Sequence, residues 1–238
     1  MSRSHLEGMR HLSDPARRRH KARSLLQSAF LLAELLGLLA LSAFLLTGPA
    51  GVFWGLVGGV VRLILVPRLP TQAAMRYFGA RRVDPQDILP VAKAMERLST
   101  KAGLPAVPAL YYLPDTGMNS FAVGRREDAA VVLTDGMLRS LSLREIVAVL
   151  AHEIAHIAHN DLDIMQLADT VSRMTRFMAF VGLAVAVVSI PAALFGDGHV
   201  PWFGVLILIF APTFAGLLQF ALSRTREFEA DLEAAALT

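Results

Sequence analysis

Long apolar runs and polar segments alternate along the chain, and the apolar runs have the length of membrane-spanning helices. At about 1.5 Å per residue, the first run would form a helix of about 36 Å, which crosses a bilayer with some tilt. Tight turns join the first run to the second and the third to the fourth. The pattern predicts an α-helical membrane protein with about four transmembrane helices, in hairpins at 24–67 and 177–222. The runs are Ser24–Thr47, Gly51–Val66, Phe177–Phe195 and Pro201–Leu222.

The polar middle of the chain, residues 68–176, has the periodicities of a small soluble domain. Pro85–Thr100 has one apolar face and predicts an amphipathic helix. Ser142 followed by Glu145 forms a capping box, and no Gly or Pro occurs from Leu138 to Val181, so a long helix is predicted after Ser142. We therefore expect an α+β domain here. Its predicted strands are Val107–Leu113, Asn119–Val123 and Ala129–Thr134.

Composition supports the membrane interpretation, and the distribution of charge predicts the topology. The chain is 54% hydrophobic and only 18% charged, with a mean hydropathy of +0.49, which is too apolar for an ordinary soluble protein. The net charge is +3, but the basic residues flank the apolar runs, which favours lipid headgroups over nucleic acid as partners. Lys and Arg are absent from both connecting turns. We expect a multi-pass protein of the cell (inner or plasma) membrane, with the basic segment 1–23, the domain at 68–176 and both termini in the cytoplasm.

The sequence A-H-E-I-A-H-I-A-H at Ala151–His159 carries the candidate chemistry. On a helix, His152 and His156 leave the same face one turn apart, so both imidazoles can bind one metal ion. Glu153 stands beside them as a candidate base that accepts a proton from the attacking water. Cysteine is absent, which excludes a thiolate site and fits a reducing compartment.

A catalytic zinc site of this type needs a third protein ligand, and the sequence leaves few candidates. No acidic residue lies between Asp169 and Asp197, and Asp197 itself belongs to a turn predicted on the other side of the membrane. The remaining segment follows the fourth apolar run. Glu227 and Asp231 share a helical face there, so one can bind the metal while the other supports a histidine.

Three motifs together resemble the HtpX family of membrane zinc endopeptidases, which is related to the CAAX prenyl protease. They are H-E-I-A-H-I-A-H-N-D at His152–Asp161, R-E-F-E-A-D at Arg226–Asp231 and N-S-F-A-V-G at Asn119–Gly124. The resemblance covers nearly the whole chain, including the order of spans and motifs. It implies a zincin-like catalytic domain with the HExxH motif on a helix.

The resemblance also implies a role for each matched residue. His152, His156 and Glu227 would bind one Zn2+ per chain, Glu153 would act as general base and Asp231 would support the zinc ligands. An extended polypeptide substrate would lie along an edge strand. Quality control of membrane proteins is the implied process. The implied substrate-binding residues are Asn119, Ser120, Phe121 and Ala122.

Members of that family usually continue well past the E-F-x-A-D segment. Residues 223–238 are therefore expected to be only the start of the helix that carries the third ligand, with the family domain truncated at Thr238. An intramembrane site-two-type protease is disfavoured because Arg144, Asp161 and Asp163 flank the histidine motif. A catalytically incomplete membrane scaffold of the same fold is the alternative of another class.

Overall fold

The structure is a computed structural model that describes residues 14–55, 57, 71–195 and 202–238. Helices dominate, and a small sheet lies between the second and fourth of them in chain order. The helices are α1 (Asp14–Thr47), α2 (Thr71–Phe78), α3 (Leu89–Lys101), α4 (Asp135–Ser140), α5 (Leu143–His159), α6 (Asp161–Phe195) and α7 (Trp202–Leu237). The strands are β1 (Arg81–Arg82), β2 (Ala109–Leu113), β3 (Ser120–Val123) and β4 (Ala130–Thr134).

Three helices in the described residues are long and apolar enough to cross a membrane, at Ser24–Thr47, Asp161–Pro191 and Trp202–Leu237. The prediction of a further span at Gly51–Val66 lies mostly outside the described residues. The third and fourth predicted runs belong to helices longer than the runs themselves. The fourth run and the segment with Glu227 form one continuous helix, α7, because Ser223–Leu237 contains neither Gly nor Pro.

The chain divides into two compact units. The first consists of the described parts of Met1–Ser24, Arg68–Ile164 and Thr225–Thr238. The second consists of the described parts of Leu25–Pro67 and Met165–Arg224. Within the second unit, Gly182 allows close approach of helices, because a Cβ there would lie 2.6 Å from Leu208 Cδ1 and 3.2 Å from Leu46 Cδ2.

The sheet of the first unit has the order β1-β2-β4-β3. β4 pairs in parallel with β2 and antiparallel with β3, with Ser120 opposite Leu133 and Val123 opposite Ala130. β3 pairs only with β4 among the described strands, so it lies at an edge of the sheet. The three predicted strands are present with slightly shorter bounds, whereas the two-residue strand β1 and the helices α2 and α4 were not predicted.

Alternate residues of β4 pack on opposite faces of the sheet. Val131 and Leu133 are fully buried against α3 and α5, through Met95, Leu150 and other apolar residues. Ala130 and Val132 pack on the other face against Met75 of α2 and Tyr111 of β2. Burial of the inward face of α5 therefore fixes the rotation of that helix about its axis.

The ends of α5 follow from two local signals. At its start, the Ser142 hydroxyl bonds to Glu145, and the Ser142 N–H donates to Glu145 Oε2 at 2.8 Å, so the predicted capping box is present. At its end, Asn160 adopts the left-handed conformation with φ of 55° and separates α5 from α6. The predicted helix after Ser142 therefore ends without glycine or proline, because asparagine tolerates that conformation. The predicted start of α3 at Pro85 was early, since Pro90 occupies the first turn of a helix that begins at Leu89.

Candidate metal centre

Within the first unit, α5 and the last part of α7 bring together three side chains that can bind a metal. α5 presents His152 and His156 one turn apart, and α7 presents Glu227. One ligand atom from each residue lies within 4.8 Å of the others. The structure therefore places side by side the three residues expected to bind zinc, although 71 positions separate Glu227 from His156 in the chain (227 − 156).

The distances between these atoms fit a tetrahedral zinc ion. His152 Nε2 lies 3.1 Å from His156 Nε2, and Glu227 Oε2 lies 3.2 Å from His152 Nε2 and 3.7 Å from His156 Nε2. Ligand atoms on a tetrahedral centre with bonds of about 2.0–2.1 Å are about 3.3 Å apart. A donor set of two imidazoles and one carboxylate suits zinc and leaves one coordination position open.

The other ring nitrogen of each histidine, Nδ1, is hydrogen-bonded to a carboxylate. Asp231 Oδ1 lies 2.8 Å from His152 Nδ1, and Asp161 Oδ2 lies 2.9 Å from His156 Nδ1. In the neutral rings each Nδ1–H donates to its carboxylate, so the lone pair is on Nε2, where a metal would bind. The two aspartates thus set the tautomer that the metal site requires.

Asp161 is the residue of this site that sequence reasoning missed. It is buried and pairs with buried Arg226, whose Nη1 donates to Asp161 Oδ1 at 3.3 Å. Arg226 Nη2 also donates to the Ser24 carbonyl at 3.3 Å. Asp161 therefore orients His156 and also attaches α6 to α7 beside Glu227. The signal in the sequence was an acidic residue one position after the asparagine that ends α5.

The surroundings of His156 favour its protonated form when no metal is bound. Burial of the ring lowers its pKa, but the hydrogen bond and charge of Asp161, with the charges of Glu227 and Glu153, outweigh burial and raise the pKa above its ordinary value. Protons and a metal ion therefore compete for Nε2, and acid favours the protons.

Glu153 is buried between α5 and the edge strand. Its Oε1 accepts a hydrogen bond of 2.6 Å from the Ser120 hydroxyl of β3, and the residue is 7% exposed. Glu153 follows His152 directly and lies in the same turn of α5. The charge of Glu153 contributes to the raised pKa of His156, so the carboxylate lies near the candidate metal centre.

The four residues expected to bind substrate have different surroundings. Ser120 reaches Glu153, Ala122 is buried in the core beneath α5, and the Phe121 ring packs on the opposite face of the sheet, 5.4 Å from the Phe78 ring. Asn119 precedes β3, and its N–H donates to Thr134 Oγ1 at 2.9 Å. The Asn119 carbonyl also accepts from the Thr134 N–H, so the backbone of Asn119 is directed towards β4. Of the four side chains, that of Ser120 contacts the candidate base Glu153.

His159, the third histidine of the motif, lies apart from the three candidate ligands. Its Nε2 is 3.7 Å from Glu233 Oε2 on α7. The side chain is largely buried, at 10% exposure. Among the described residues, His159 is therefore not a member of the candidate ligand set.

Comparison with known proteins gives a consistent match over most of the chain. Residues 85–238 match the model of peptidase family M48. A Protease HtpX homolog of Desulfatibacillum aliphaticivorans is 33% identical over 208 residues, covering 87% of this chain and 67% of the relative. One from Acaryochloris marina is 35% identical over 223 residues, covering 90% and 73%. One from Methylibium petroleiphilum is 32% identical over 215 residues, covering 87% and 72%.

Proposed function

This chain belongs to the HtpX-like proteins of peptidase family M48, and we propose that it is an integral membrane, zinc-dependent endopeptidase. Membership of this family makes the chain a protease, and three of its described helices are long and apolar enough to cross a membrane. We propose that His152, His156 and Glu227 bind one Zn2+ and that Glu153 is the general base. Asp231 and Asp161 hold the two histidines in the tautomer that binds metal.

One observation carries the proposal. The Nε2 atoms of His152 and His156 and Oε2 of Glu227 lie 3.1, 3.2 and 3.7 Å from one another. The Nδ1 atom of each histidine is hydrogen-bonded to a carboxylate. Two solvated histidines on a helix surface would not be expected to direct both Nε2 atoms towards the same carboxylate. A pair of supporting carboxylates is the usual second layer around a metal-binding histidine.

Zinc bound here would polarise the scissile carbonyl and lower the pKa of the attacking water. Glu153 takes the proton that this water loses as its oxygen bonds to the carbonyl carbon. When the C–N bond breaks, Glu153 passes that proton to the leaving nitrogen, so the products are a carboxylic acid and an amine. Glu153 ends in the state in which it began.

We propose that the substrates are polypeptides at the membrane surface. The free edge of β3 supports this, because an extended segment can add to it through backbone hydrogen bonds and so pass in front of Glu153. Such recognition depends little on side chains, which suits the removal of misfolded membrane proteins. Quality control is therefore the process we propose.

We also propose the topology indicated by the basic residues. Four spans, with the second within Gly51–Val66, would place both termini and the metal centre in the cytoplasm. In this arrangement, the hairpins 24–67 and 177–222 anchor a cytoplasmic protease domain at 68–176, and residues 223–238 carry the third ligand.

Metal content of the detergent-purified chain tests the proposal. We expect about one zinc per wild-type chain, loss of zinc in Glu227→Ala, and zinc with no cleavage in Glu153→Gln. Zinc retained in Glu227→Ala would move the third ligand elsewhere. A wild-type chain that binds zinc but cleaves no unfolded membrane polypeptide would favour a scaffold instead.

A further inference from the structure

The hydrogen bond between Ser120 and Glu153 joins the edge strand to the candidate base. The two residues are 33 positions apart, and the Oγ–Oε1 distance is 2.6 Å. Ser120 is at the start of β3, where its side chain faces α5 and its backbone belongs to the edge of the sheet. A short bond from a hydroxyl to a carboxylate is of the strong, charge-assisted kind.

We propose that Ser120 is a positioning residue that holds Glu153 for proton transfer and is not a side-chain contact for substrate. This inference rests on the proposed role of Glu153. An ionised carboxylate only accepts hydrogen bonds, and the Ser120 hydroxyl is the donor that reaches it among the described residues. With Oε1 engaged, Oε2 makes no hydrogen bond to the described residues and is available to take the proton.

Glu153 needs such a contact because its side chain is long. The backbone of α5 fixes only the Cα–Cβ direction, and the remaining torsions of a glutamate allow its carboxylate several positions. A base is effective only when held within about 0.5 Å of its working position. The hydrogen bond from Ser120 of β3 restricts these torsions, because it holds the carboxylate at its far end from the α5 backbone.

The location of Ser120 also aligns the base with the substrate. A polypeptide that adds to the edge of β3 takes its register from that strand. Because the same strand holds the Glu153 carboxylate, the scissile bond and the base are placed by a single element. Strand addition and proton transfer are thereby coupled without any side-chain recognition.

Steady-state kinetics on a fluorogenic peptide distinguish positioning from binding. In Ser120→Ala, we expect kcat to fall by about tenfold, the effect of losing one hydrogen bond to a charged group, while KM changes less than about twofold. Zinc per chain should stay at the wild-type value. Ser120→Thr keeps the hydroxyl on a residue that suits a strand, so it should recover most of kcat.

Two controls complete the experiment. Ser99→Ala removes a buried serine hydroxyl of the same unit on α3, outside the candidate site, and should leave kcat and KM unchanged. Ser120→Val has the shape of Ser120→Thr without the hydroxyl. It should therefore show low kcat where Ser120→Thr is active, even if Ser120→Ala folds poorly.

Three outcomes would overturn the inference. An increase in KM at constant kcat in Ser120→Ala would make Ser120 a substrate contact, and equal kcat in the Thr and Val variants would show that the hydroxyl has no role. Wild-type protein that holds zinc but does not cleave would refute the proposed function itself, and this inference with it.

Discussion

The two carboxylates that hold the histidines differ greatly in burial, so the same substitution should affect them differently. The Asp161 side chain is 2% exposed and pairs with Arg226 at 4%, whereas the Asp231 side chain is 71% exposed. Asp161→Asn keeps the size of the side chain and an oxygen for His156. It removes the negative charge 3.3 Å from the buried Arg226 guanidinium.

The magnitude follows from that burial. Removing one partner of a buried ion pair costs roughly 3–5 kcal/mol, a large part of the roughly 5–15 kcal/mol by which domains are stable. Asp231→Asn changes a solvated side chain and should alter stability by no more than about 0.5 kcal/mol. Zinc affinity should fall about 10- to 100-fold in both variants, because each loses a carboxylate behind a histidine.

Thermal unfolding in detergent with excess chelator separates the loss of stability from the loss of zinc affinity, because metal binding then adds nothing to stability. For a chain of this size, we expect a fall in Tm of about 6–20 °C in Asp161→Asn and almost none in Asp231→Asn. Competition with a zinc chelator gives the affinities. Adding Arg226→Met to Asp161→Asn removes the second charge and should recover part of the lost stability.

Equal Tm values for Asp161→Asn and Asp231→Asn in the chelated state would refute this reasoning. So would a loss of stability below about 1 kcal/mol in Asp161→Asn, because the pair would then contribute no more than a surface ion pair.

The remaining predictions concern the helix ends and one close contact. Asn160→Ala should lower the unfolding free energy by about 1–2 kcal/mol, because φ is 55° there, while Asn160→Gly should not; equal Tm values would contradict this. Ser142→Ala should cost about 1 kcal/mol as a lost helix cap. The Ser142 hydroxyl and N–H lower the pKa of Glu145, so their contribution to stability is present above the ordinary carboxyl pKa and is lost as the pH falls through the lowered value. Unfolding measured against pH should therefore depend less on acid in Ser142→Ala. Gly136→Ala should destabilise the domain, because a Cβ there would overlap the Thr116 carbonyl oxygen, and an unchanged Tm would show that the backbone gives way.

Features of the site that follow from local geometry could be predicted from the sequence. The helix start at Ser142 depends on residues three positions apart, and the shared face of His152 and His156 follows from helical periodicity. The short apolar segment Ala129–Thr134 likewise predicted a strand, which the structure has at Ala130–Thr134. Each of these is fixed by neighbours within a few positions.

Two contacts between residues far apart in the chain were not predicted. Asp161 contacts Arg226 across 65 positions, and Ser120 contacts Glu153 across 33. Neither pair has a local pattern, since a lone acidic residue or serine is compatible with a solvated surface. The end of α5 at Asn160 was missed for another reason, because asparagine enters the left-handed region less often than glycine and gives a weaker signal.

The continuity of α7 has a consequence for how the protein matures. The helix runs from Trp202 to Leu237 without a break, so Glu227 and Asp231 follow directly on a candidate membrane helix. Asp231 is 79 positions after His152. A ribosome therefore adds the histidine pair first, and Glu227 only after the apolar run Pro201–Leu222 has been synthesised. A nascent chain that has not yet reached Glu227 carries only part of the candidate ligand set, so the centre cannot be completed before that residue is added.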